Sequence, residues 1–245
     1  MGILSRTSQL DRLLHLTSDN RDSALSFTKD IDEMVCAQEA DLACHSAKDV
    51  GIWVNHGLQL VCTLPRCYPA DAWFGPRPED LPRGGVVGTD SARRQSLIKL
   101  YYPHLVVKAI RGNVGTRIQK WQSGEYDAIM LSQCGVDRLS LDIPYYAMPL
   151  DQFVPAMNQG IIVAMMSPEH PLFTMISETT DQSTWQQVML ERKVGRALGV
   201  TCKDPVGILA KPDGTVDVYW GRSHVHANFD PNVEELSEWC AKLKG

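Results

Sequence analysis

Arginine and glycine occur together in one short stretch of the chain. In VVKAIRGNVGTRIQK an apolar run at 105–110 ends at Arg111, and Arg117 follows six residues later. Gly112 and Gly115 have no side chain, so the backbone N–H groups around them stay accessible. Arginine pairs with planar carboxylates and phosphates through two parallel hydrogen bonds. The stretch therefore predicts an anion site, for phosphate, nucleic acid or the carboxylate of a small molecule.

More arginines follow the neighbouring strands predicted in this part of the chain. Apolar strand patterns at 84–89, 105–110 and 126–131 alternate with helical patterns at 90–102 and 114–123, which is typical of a parallel sheet with helices on its faces. Ligands bind beyond the carboxyl ends of such strands, where helix N-termini add N–H donors. The residues at the three strand ends are Thr89, Asp90, Ser91, Arg93 and Arg94, then Arg111, Gly112, Asn113 and Arg117, then Gln133, Gly135 and Arg138. We expect the five arginines to surround a ligand with several negative groups, the alternative being that they are separate solvated surface residues.

Two further segments combine residues that could take part in chemistry. In CHSAKDV, Lys48 and Asp49 follow Ser46 at the end of a predicted strand, as either a surface ion pair or a carboxylate kept ionised beside cationic chemistry. In ALGVTCKDPVG, Cys202 lies in a loop beside Lys203. A neighbouring ammonium lowers the pKa of a thiol, whereas a half-buried loop thiol is the simpler interpretation. Spacing alone leaves both alternatives open.

Composition bounds the class of protein. The net charge of −5 argues against a nucleic-acid-binding domain, which is usually basic, so an anion site has to be a local cluster of arginines. No apolar run reaches the ~20 residues that span a bilayer, and MGILSRTSQ lacks a secretory pattern, so we expect a cytoplasmic protein without a membrane partner. The seven cysteines form no C-x-x-C pair, so we predict neither a disulfide framework nor a zinc ribbon, and no metal site.

The predicted elements fall into three units. The start of the chain carries helical patterns to about residue 40 and then two strands, and 65–85 is rich in proline and glycine, as expected of a connection. The β-α-β-α-β segment follows, with the helix at 90–102 capped by Thr89 or Asp90. A helix at 183–198, two strands joined by a Pro-Asp-Gly turn and a last helix complete the chain. We predict the α/β class, with mostly parallel sheets in the first two units and a small α+β third unit.

The motifs occur in the order and spacing of one enzyme family. The segments DLACHSAKDV, GTDSARRQ, IRGNVGTRIQK, GEYDAIMLSQCGVDRL, NQG and CKDPVG extend from about residue 27 to residue 206. The chain thereby resembles hydroxymethylbilane synthase, also called porphobilinogen deaminase. The resemblance implies a transferase that joins four porphobilinogen molecules head to tail, with release of ammonia, to give hydroxymethylbilane in heme biosynthesis. It also implies a dipyrromethane cofactor attached to a cysteine through a thioether, and anions that are the acetate and propionate side chains of pyrroles.

The resemblance implies three domains as well. The expected boundaries are 1–64 with 161–178 for domain 1, 68–155 for domain 2 and 182–245 for domain 3. The first two domains are expected to be α/β domains similar to the halves of a solute-binding protein. Relative to the family, the start of domain 1 is shortened, because Arg6 and Lys29 lie closer together in the chain, and the tail of domain 3 after Cys202 is short.

Functional roles are carried over to the residues that match the family motifs. Asp49 is expected to be catalytic, assisting the loss of ammonia and stabilising the cationic pyrrole that follows. Cys202 is expected to carry the dipyrromethane cofactor. The residues expected to bind cofactor or substrate are Arg6, Ser8, Lys29, Ser46, Lys48, Thr89, Ser91, Arg93, Arg94, Arg111, Gly112, Arg117, Arg138, Gln159 and Gly160.

Four positions depart from the family pattern. Asp90 stands where the family has Ser, Gly51 where it has Pro, and Val200 and Thr201 where it has Gly. A negative charge at Asp90, beside a carboxylate pocket, favours as an alternative a diverged homologue that binds pyrroles or carboxylates with little or no turnover. A nucleic-acid-binding module is a second alternative, although no aromatic stacking platform accompanies the arginines. We expect porphobilinogen as the partner, no nucleic acid, and a monomeric protein.

Overall fold

The computed structural model describes residues 23–54, 57–201, 204–232 and 234–244 of the chain. The strands in these ranges are β1 (Ala43–Ser46), β2 (Gln59–Thr63), β3 (Asp71–Phe74), β4 (Val86–Gly88), β5 (Val106–Lys108), β6 (Ala128–Ser132), β7 (Tyr146–Ala147), β8 (Ile162–Met166), β9 (Val206–Ala210), β10 (Val216–Trp220) and β11 (Val225–Phe229). The α-helices in the same ranges are α1 (Ser23–Cys36), α2 (Ala92–Tyr101), α3 (Val114–Gln122), α4 (Gln133–Arg138), α5 (Phe173–Ser177), α6 (Gln182–Leu198) and α7 (Leu236–Lys244). None of these helices has both the length and the apolar character that a bilayer crossing requires. The helical pattern predicted before residue 23 lies outside the described residues.

The strands form three sheets, with the orders β1-β8-β2, β5-β4-β6-β3-β7 and β11-β10-β9. In the second sheet β4 is parallel to β5 and β6, whereas β3 is antiparallel to β6 and β7. The pairings of the first and third sheets are antiparallel. The α/β class is confirmed, but the parallel arrangement is limited to β5-β4-β6. Parallel neighbours need a long crossover connection, and helices α2 and α3 supply one only between β4, β5 and β6.

Strand β3 lies within the segment 65–85 that the sequence predicts as a loop-rich connection. Its residues Asp71, Ala72, Trp73 and Phe74 are completely buried, and the strand lies between β6 and β7. A strand buried on both faces loses the alternation of apolar and polar residues that marks a half-exposed strand. Four residues surrounded by prolines therefore gave no recognisable strand pattern.

Helix α2 has a different N-cap from the one predicted. Ser91, rather than Thr89 or Asp90, caps the helix, and its Oγ accepts a hydrogen bond from the backbone N–H of Arg94 at 3.5 Å. Thr89 is not free for this role because it is buried and its hydroxyl accepts from the N–H of Ser91 at 3.3 Å. The cap places Arg93 and Arg94 in the first turn of α2.

Helix α6 contacts two of the hydrophobic cores. Val188 belongs to the core of the first sheet, while Val194 and Leu198 belong to the core of the third sheet. The chain passes between the first and second sheets at 64–70 and again at 148–161, which we call the first and second crossing segments. Each sheet lies within one of the three predicted domains, and the domain boundaries themselves stay a prediction.

A buried carboxylate joins the second sheet, helix α2 and the second crossing segment. Asp71 has no solvent exposure. Its Oδ2 lies 2.8 Å from Nη1 of Arg93, and its Oδ1 lies 2.7 Å from Nη2 of Arg94. Gln159 donates from Nε2 to the same Oδ1 at 2.9 Å. We call Asp71, Arg93, Arg94 and Gln159 the Asp71 cluster; it fixes the start of α2 and the second crossing segment to the first residue of β3.

The charges of the cluster determine the protonation state of Asp71. Burial opposes ionisation of this carboxyl group, but attraction by Arg93 and Arg94 and their hydrogen bonds outweigh it and hold the pKa of Asp71 well below its ordinary value. A carboxyl group whose pKa is lower in the folded state contributes stability above its unfolded pKa of about 3.9 and loses that contribution as the pH falls below it. Asp71 therefore stabilises the fold at neutral pH and progressively less in acid.

We predict that Asp71→Asn lowers the free energy of unfolding at pH 7 by about 3–5 kcal/mol, because two buried guanidinium groups lose their counter-charge. The difference between the parent and the variant should narrow below about pH 4, because Asp71 then binds a proton in the unfolded chain while the folded carboxylate is still ionised. Urea denaturation at pH 7 and at pH 3 measures both effects.

Asp142→Asn is the matched control, since Asp142 is exposed in the same part of the chain and the same chemical change should alter stability by less than about 0.5 kcal/mol. An Asp71→Asn variant as stable as the parent at pH 7, or a stability difference that stays constant down to pH 3, would contradict the role of the cluster.

Candidate active site

Lys48 and Asp49 lie on a short 3-10 turn, Ala47–Asp49, directly after β1. Ala47 is buried, and its N–H donates to the carbonyl of Ile161 in the second crossing segment at 2.9 Å. Val50 closes the turn by donating to the carbonyl of Ala47 at 3.3 Å. The Asp49 side chain is exposed on this anchored backbone. The turn thus presents a carboxylate whose main chain is tied to the crossing between the sheets.

The Lys48 ammonium lies within the electrostatic field of the Asp71 cluster. Burial lowers the pKa of Lys48, the neighbouring Asp49 carboxylate opposes that effect, Arg94 and Arg93 lower the pKa further, and Asp71 raises it. Lys48 is therefore close enough to the Asp71 cluster for the charges to interact. Ser46, the last residue of β1, is partly buried and does not cap the turn through its side chain.

The predicted ligand-binding residues Arg93 and Arg94 are buried, with 3% and 6% exposure. Besides their bonds to Asp71, Arg93 donates from Nη1 to the carbonyl of Val154 at 2.9 Å and Arg94 from Nη1 to that of Met130 at 3.1 Å. Much of their donor capacity is thus used within the protein. They contribute positive charge to the site from beneath its surface, and their direct contact with a ligand stays a prediction.

The glycine-rich segment that follows β5 contains an exposed arginine. The Arg111 side chain is 78% exposed, and its Nε lies 3.5 Å from Oδ2 of Asp90. Gly112 has φ of +112°, and a Cβ there would lie 2.7 Å from the side chain of Thr116, so the position requires glycine. Arg117 donates from Nε to the carbonyl of Gly112 at 2.7 Å. The carboxylate that replaces a family Ser thus contacts a predicted carboxylate-binding arginine.

Helix α3 begins in the same segment. Asn113 is its N-cap, accepting a hydrogen bond from the backbone N–H of Thr116 at 2.9 Å. Part of the RGNVGT motif is therefore explained by the helix start itself. The helix N-terminus adds positive partial charge beside Arg111.

Arg138 and Gly160 meet at the second crossing segment. Arg138, at the end of α4, donates from Nη2 to the carbonyl of Gly160 at 3.1 Å and approaches the Cys67 sulfur at 3.4 Å. Gly160 has φ of +89°, and a Cβ there would lie 2.5 Å from the carbonyl of Cys67. Burial, followed by a hydrogen bond with Cys67, raises the pKa of the Cys134 thiol to about 12. The Cys134 thiol is therefore neutral at pH 7.

The remaining predicted residues have other placements. Thr89 is buried, and its carbonyl accepts from Nε2 of Gln95 at 3.0 Å. Lys29 lies on the exposed side of α1, where its ammonium is 3.6 Å from Oε1 of Glu33. The predicted site residues Arg6, Ser8 and Cys202 lie outside the described residues.

Four residues that organise the site were absent from the sequence-based set, namely Arg66, Asp71, Glu191 and Arg192. Asp71 is the second residue of ADAWF, and an acidic residue within an apolar run is a signal for a buried, paired carboxylate. The two consecutive arginines of α2 were a second signal, since buried arginine needs a partner. Glu191 and Arg192 are adjacent within a helical pattern and resemble ordinary surface charges. Their burial, at 0% and 1% exposure, is visible only in the folded chain.

The candidate site combines the exposed carboxylate of Asp49 with several cations, one of which, Arg111, is paired with Asp90. Asp49 lies beside Lys48, whose charge interacts with Arg93 and Arg94. Arg111 follows β5, the edge strand of the second sheet. Such an arrangement can bind a ligand with several carboxylates while a single carboxylate stabilises a positive charge that develops on it.

Comparison with known proteins identifies relatives. A family model described as "Porphobilinogen deaminase, dipyromethane cofactor binding domain" matches residues 3–172. A probable porphobilinogen deaminase of Methanocella arvoryzae is 39% identical over 188 residues, which are 76% of this chain and 62% of that protein. A porphobilinogen deaminase of Thiobacillus denitrificans is 36% identical over 234 residues, covering 88% of this chain and 76% of that protein. This chain thus spans between three fifths and about three quarters of the length of these two relatives.

Solved structures with a related arrangement include an ABC transporter from Parabacteroides distasonis, with a TM-score of 0.42 and 12% sequence identity over 65% of this chain and 57% of that chain. At that level the likeness carries no functional information. The family model, in contrast, covers well over half of the chain, and the relative from Thiobacillus denitrificans is matched over most of its length. This chain is therefore a member of the porphobilinogen deaminase family.

Proposed function

We propose that this chain is a hydroxymethylbilane synthase, which condenses four porphobilinogen molecules head to tail, releases ammonia at each step and acts in tetrapyrrole biosynthesis. The observation that carries the proposal is that the Lys48–Asp49 turn is bonded through Ala47 to Ile161, two residues after Gln159 of the Asp71 cluster, in a chain of this family. The proposal extends to a cytoplasmic monomer with neither a nucleic-acid nor a membrane partner, and the net charge of −5 supports the exclusion of nucleic acid.

Asp49 is the catalytic residue in this proposal. Its exposed carboxylate is held on a turn whose backbone is bonded to Ile161. When ammonia leaves the aminomethyl group of porphobilinogen, positive charge develops on the pyrrole, and a fixed carboxylate stabilises that charge without having to reorganise. Lys48 is the nearest cation to Asp49 along the chain and pairs with a carboxylate of the substrate.

Substrate and cofactor carboxylates are bound by the arginines of the second sheet. Arg111 and Arg117 extend from the RGNVGT segment, and Arg138 is fixed beside Gly160. Arg93 and Arg94 raise the positive potential from beneath the site. These residues fit a dipyrromethane group, since guanidinium forks suit its acetate and propionate side chains. Bound through a thioether to Cys202, this group supplies the primer on which the tetrapyrrole is assembled.

One observation favours a second candidate, a diverged homologue that binds pyrroles or carboxylates with little or no turnover. Asp90 lies 3.5 Å from Nε of Arg111 and competes there with any ligand carboxylate. An exposed ion pair is worth only up to about 1 kcal/mol, so a ligand with several carboxylates can displace it. Enzymatic turnover therefore remains the first proposal.

We expect purified protein incubated with porphobilinogen to yield hydroxymethylbilane, detected as uroporphyrin after acid cyclisation and oxidation. Asp49→Ala should lower the rate by about 10²–10³-fold, as expected for the loss of one preorganised electrostatic group. Its free energy of unfolding should stay within about 0.5 kcal/mol of the parent value, because the side chain is exposed. Asp49→Glu keeps the charge and should have an intermediate rate.

Asp142→Ala provides the control for removal of an exposed carboxylate elsewhere and should keep the parent rate. Equal rates for Asp49→Ala and the parent would remove Asp49 from the mechanism. A parent protein that binds porphobilinogen without forming product would favour the diverged homologue.

Cofactor attachment at Cys202 can be tested through the mass of the intact protein. A thioether resists reductant and denaturant, so the intact-protein mass should exceed the sequence mass by two linked pyrrole units when the expression host supplies porphobilinogen. Cys202→Ser should show the bare sequence mass and no colour with Ehrlich's reagent, whereas Cys67→Ser and Cys134→Ser keep both. Active parent protein with unmodified Cys202, or extra mass on another cysteine, would exclude this attachment site.

The competition between Asp90 and the substrate can be tested through KM. Asp90→Ser removes the carboxylate that faces Arg111 and should lower KM for porphobilinogen by up to about fivefold, the equivalent of one exposed ion pair. The effect should shrink at high ionic strength, where exposed charges are screened. Asp142→Ser, with the same change of net charge, should leave KM unchanged. An unchanged or higher KM for Asp90→Ser at low salt would show that Asp90 does not compete with the substrate.

A further inference from the structure

Arg192 of helix α6 makes an unusual set of contacts for a buried arginine. It is 1% exposed, and it donates from Nη2 to the carbonyls of Gly51 at 2.6 Å and Ile52 at 2.8 Å. Its Nη1 donates to the carbonyl of Val50 at 3.4 Å. The three acceptors are consecutive backbone carbonyls that directly follow Asp49. A planar guanidinium can bind several converging oxygens at once, which the point charge of Lys cannot reproduce.

The guanidinium is charged under ordinary conditions. Burial, and then the nearby Arg196, lower the pKa of Arg192 to about 10, so the group remains a cation at neutral pH. A buried charge is costly unless it is well hydrogen-bonded. Here three carbonyl dipoles supply that compensation, so the segment from Val50 to Ile52 and the guanidinium hold each other in one arrangement.

Glu191, the residue before Arg192, holds helix α6 against the two crossing segments. Glu191 is fully buried and accepts hydrogen bonds from Nη1 of Arg66 in the first crossing segment and from the N–H of Asn158 in the second. It also accepts from the N–H of Ala210 in β9 at 2.9 Å. Movement of α6 relative to either crossing would break these bonds. Because α6 is fixed in this way, Arg192 holds the segment that follows Asp49 in a fixed position.

The other end of the turn is fixed from the same direction. Ala47 donates to the carbonyl of Ile161 at 2.9 Å, and Ile161 lies two residues after Gln159 of the Asp71 cluster. Lys48 and Asp49 are thus enclosed between an upstream anchor at Ala47 and a downstream anchor at Arg192. Both anchors lead back to the second crossing segment, which also carries a member of the Asp71 cluster.

We propose that Arg192 is a positioning residue that sets the location of the Asp49 carboxylate relative to the cationic site. The inference rests on the proposed function, since it assigns Asp49 the catalytic role. The proposed ligand-binding arginines belong to the second sheet and its helices, whereas the hydrogen bonds of Arg192 described above all go to the segment after Asp49. Loss of Arg192 should therefore lower kcat and leave KM for porphobilinogen almost unchanged.

Two variants and one control test the proposal, all in the full-length protein loaded with its cofactor. Arg192→Gln removes the charge, and Arg192→Lys keeps it but loses the fork. Lys193→Gln alters the next residue of α6, which is exposed. We expect kcat to fall by about 10- to 100-fold in Arg192→Gln, the scale associated with a displacement of about 1 Å in an active site. KM should change by less than about twofold, and Lys193→Gln should match the parent in both constants.

Hydrogen exchange monitored by mass spectrometry supplies a readout independent of activity. Two backbone N–H groups report on the turn. That of Val50 donates to the carbonyl of Ala47, and that of Ala47 donates to the carbonyl of Ile161. Their exchange should accelerate by about tenfold in Arg192→Gln, while that of β9 stays at the parent rate. Arg192→Lys should retain a melting temperature closer to the parent value than Arg192→Gln, without recovering the parent kcat.

Each outcome decides the question. Parent-like kcat and parent-like exchange at Ala47 and Val50 would overturn the proposal, and so would a loss confined to KM. Faster exchange throughout α6, β9 and the turn would show general destabilisation instead of positioning. If Arg192→Gln does not fold, the folded Arg192→Lys variant decides by the same two measurements. If the parent protein itself shows no turnover, the proposed function fails, while the exchange rates still establish or exclude the anchoring by Arg192.

Discussion

The arrangement of the site depends on the ion pairs that the buried carboxylate of Asp71 forms with Arg93 and Arg94. The carboxylate is bonded to two guanidinium groups of α2 and to the amide of Gln159, and it remains ionised because their charge outweighs the effect of burial. Two cations next to each other in a protein interior would otherwise repel and destabilise one another. With Asp71 between them, they become a rigid source of positive potential beneath the surface where anionic ligands are proposed to bind.

A second buried network lies on the other side of the crossing segments. Glu191 binds Arg66 of one crossing and the backbone of Asn158 of the other, while Arg192 binds the carbonyls after Asp49. Hydrogen bonds to charged groups are stronger than neutral ones and specify geometry. The two networks meet at the second crossing segment, so the carboxylate of the first sheet and the arginines of the second share one support. Relative motion of the two sheets would therefore have to change the hydrogen bonds of the second crossing segment.

The arginines of the site differ in what they can do, although their sequence context is similar. Arg93 and Arg94 are buried and internally paired, whereas Arg111 is exposed beside Asp90. Arg138 supports the backbone of Gly160. Burial therefore divides one set of cations into groups that shape the potential and groups that can reach a ligand. Asp90 lies beside the exposed Arg111, where its carboxylate is proposed to compete with a ligand.

Local patterns in the sequence were sufficient for the β-α-β-α-β segment, for the helix that became α6 and for the family motifs around Asp49, Arg111 and Gly160. Those features depend on periodicity, turn chemistry and residue order, which neighbouring residues carry. Only the structure identified three other features, namely the strand β3, its antiparallel pairing and the cap at Ser91. A short buried strand has no alternation, and a cap depends on which hydroxyl is free.

The partners of the charged residues were decided only by the tertiary structure. Arg192 and its acceptor Val50 are 142 residues apart in the chain, and Arg94 and Asp71 are 23 residues apart. Whether an arginine faces solvent, a ligand or a buried carboxylate depends on which distant segment packs against it. The sequence by itself determined the kinds of residue available to the site and their family relationship. Packing determined which of them are buried, which are paired and which remain exposed, because burial and long-range pairing are properties of the folded chain as a whole.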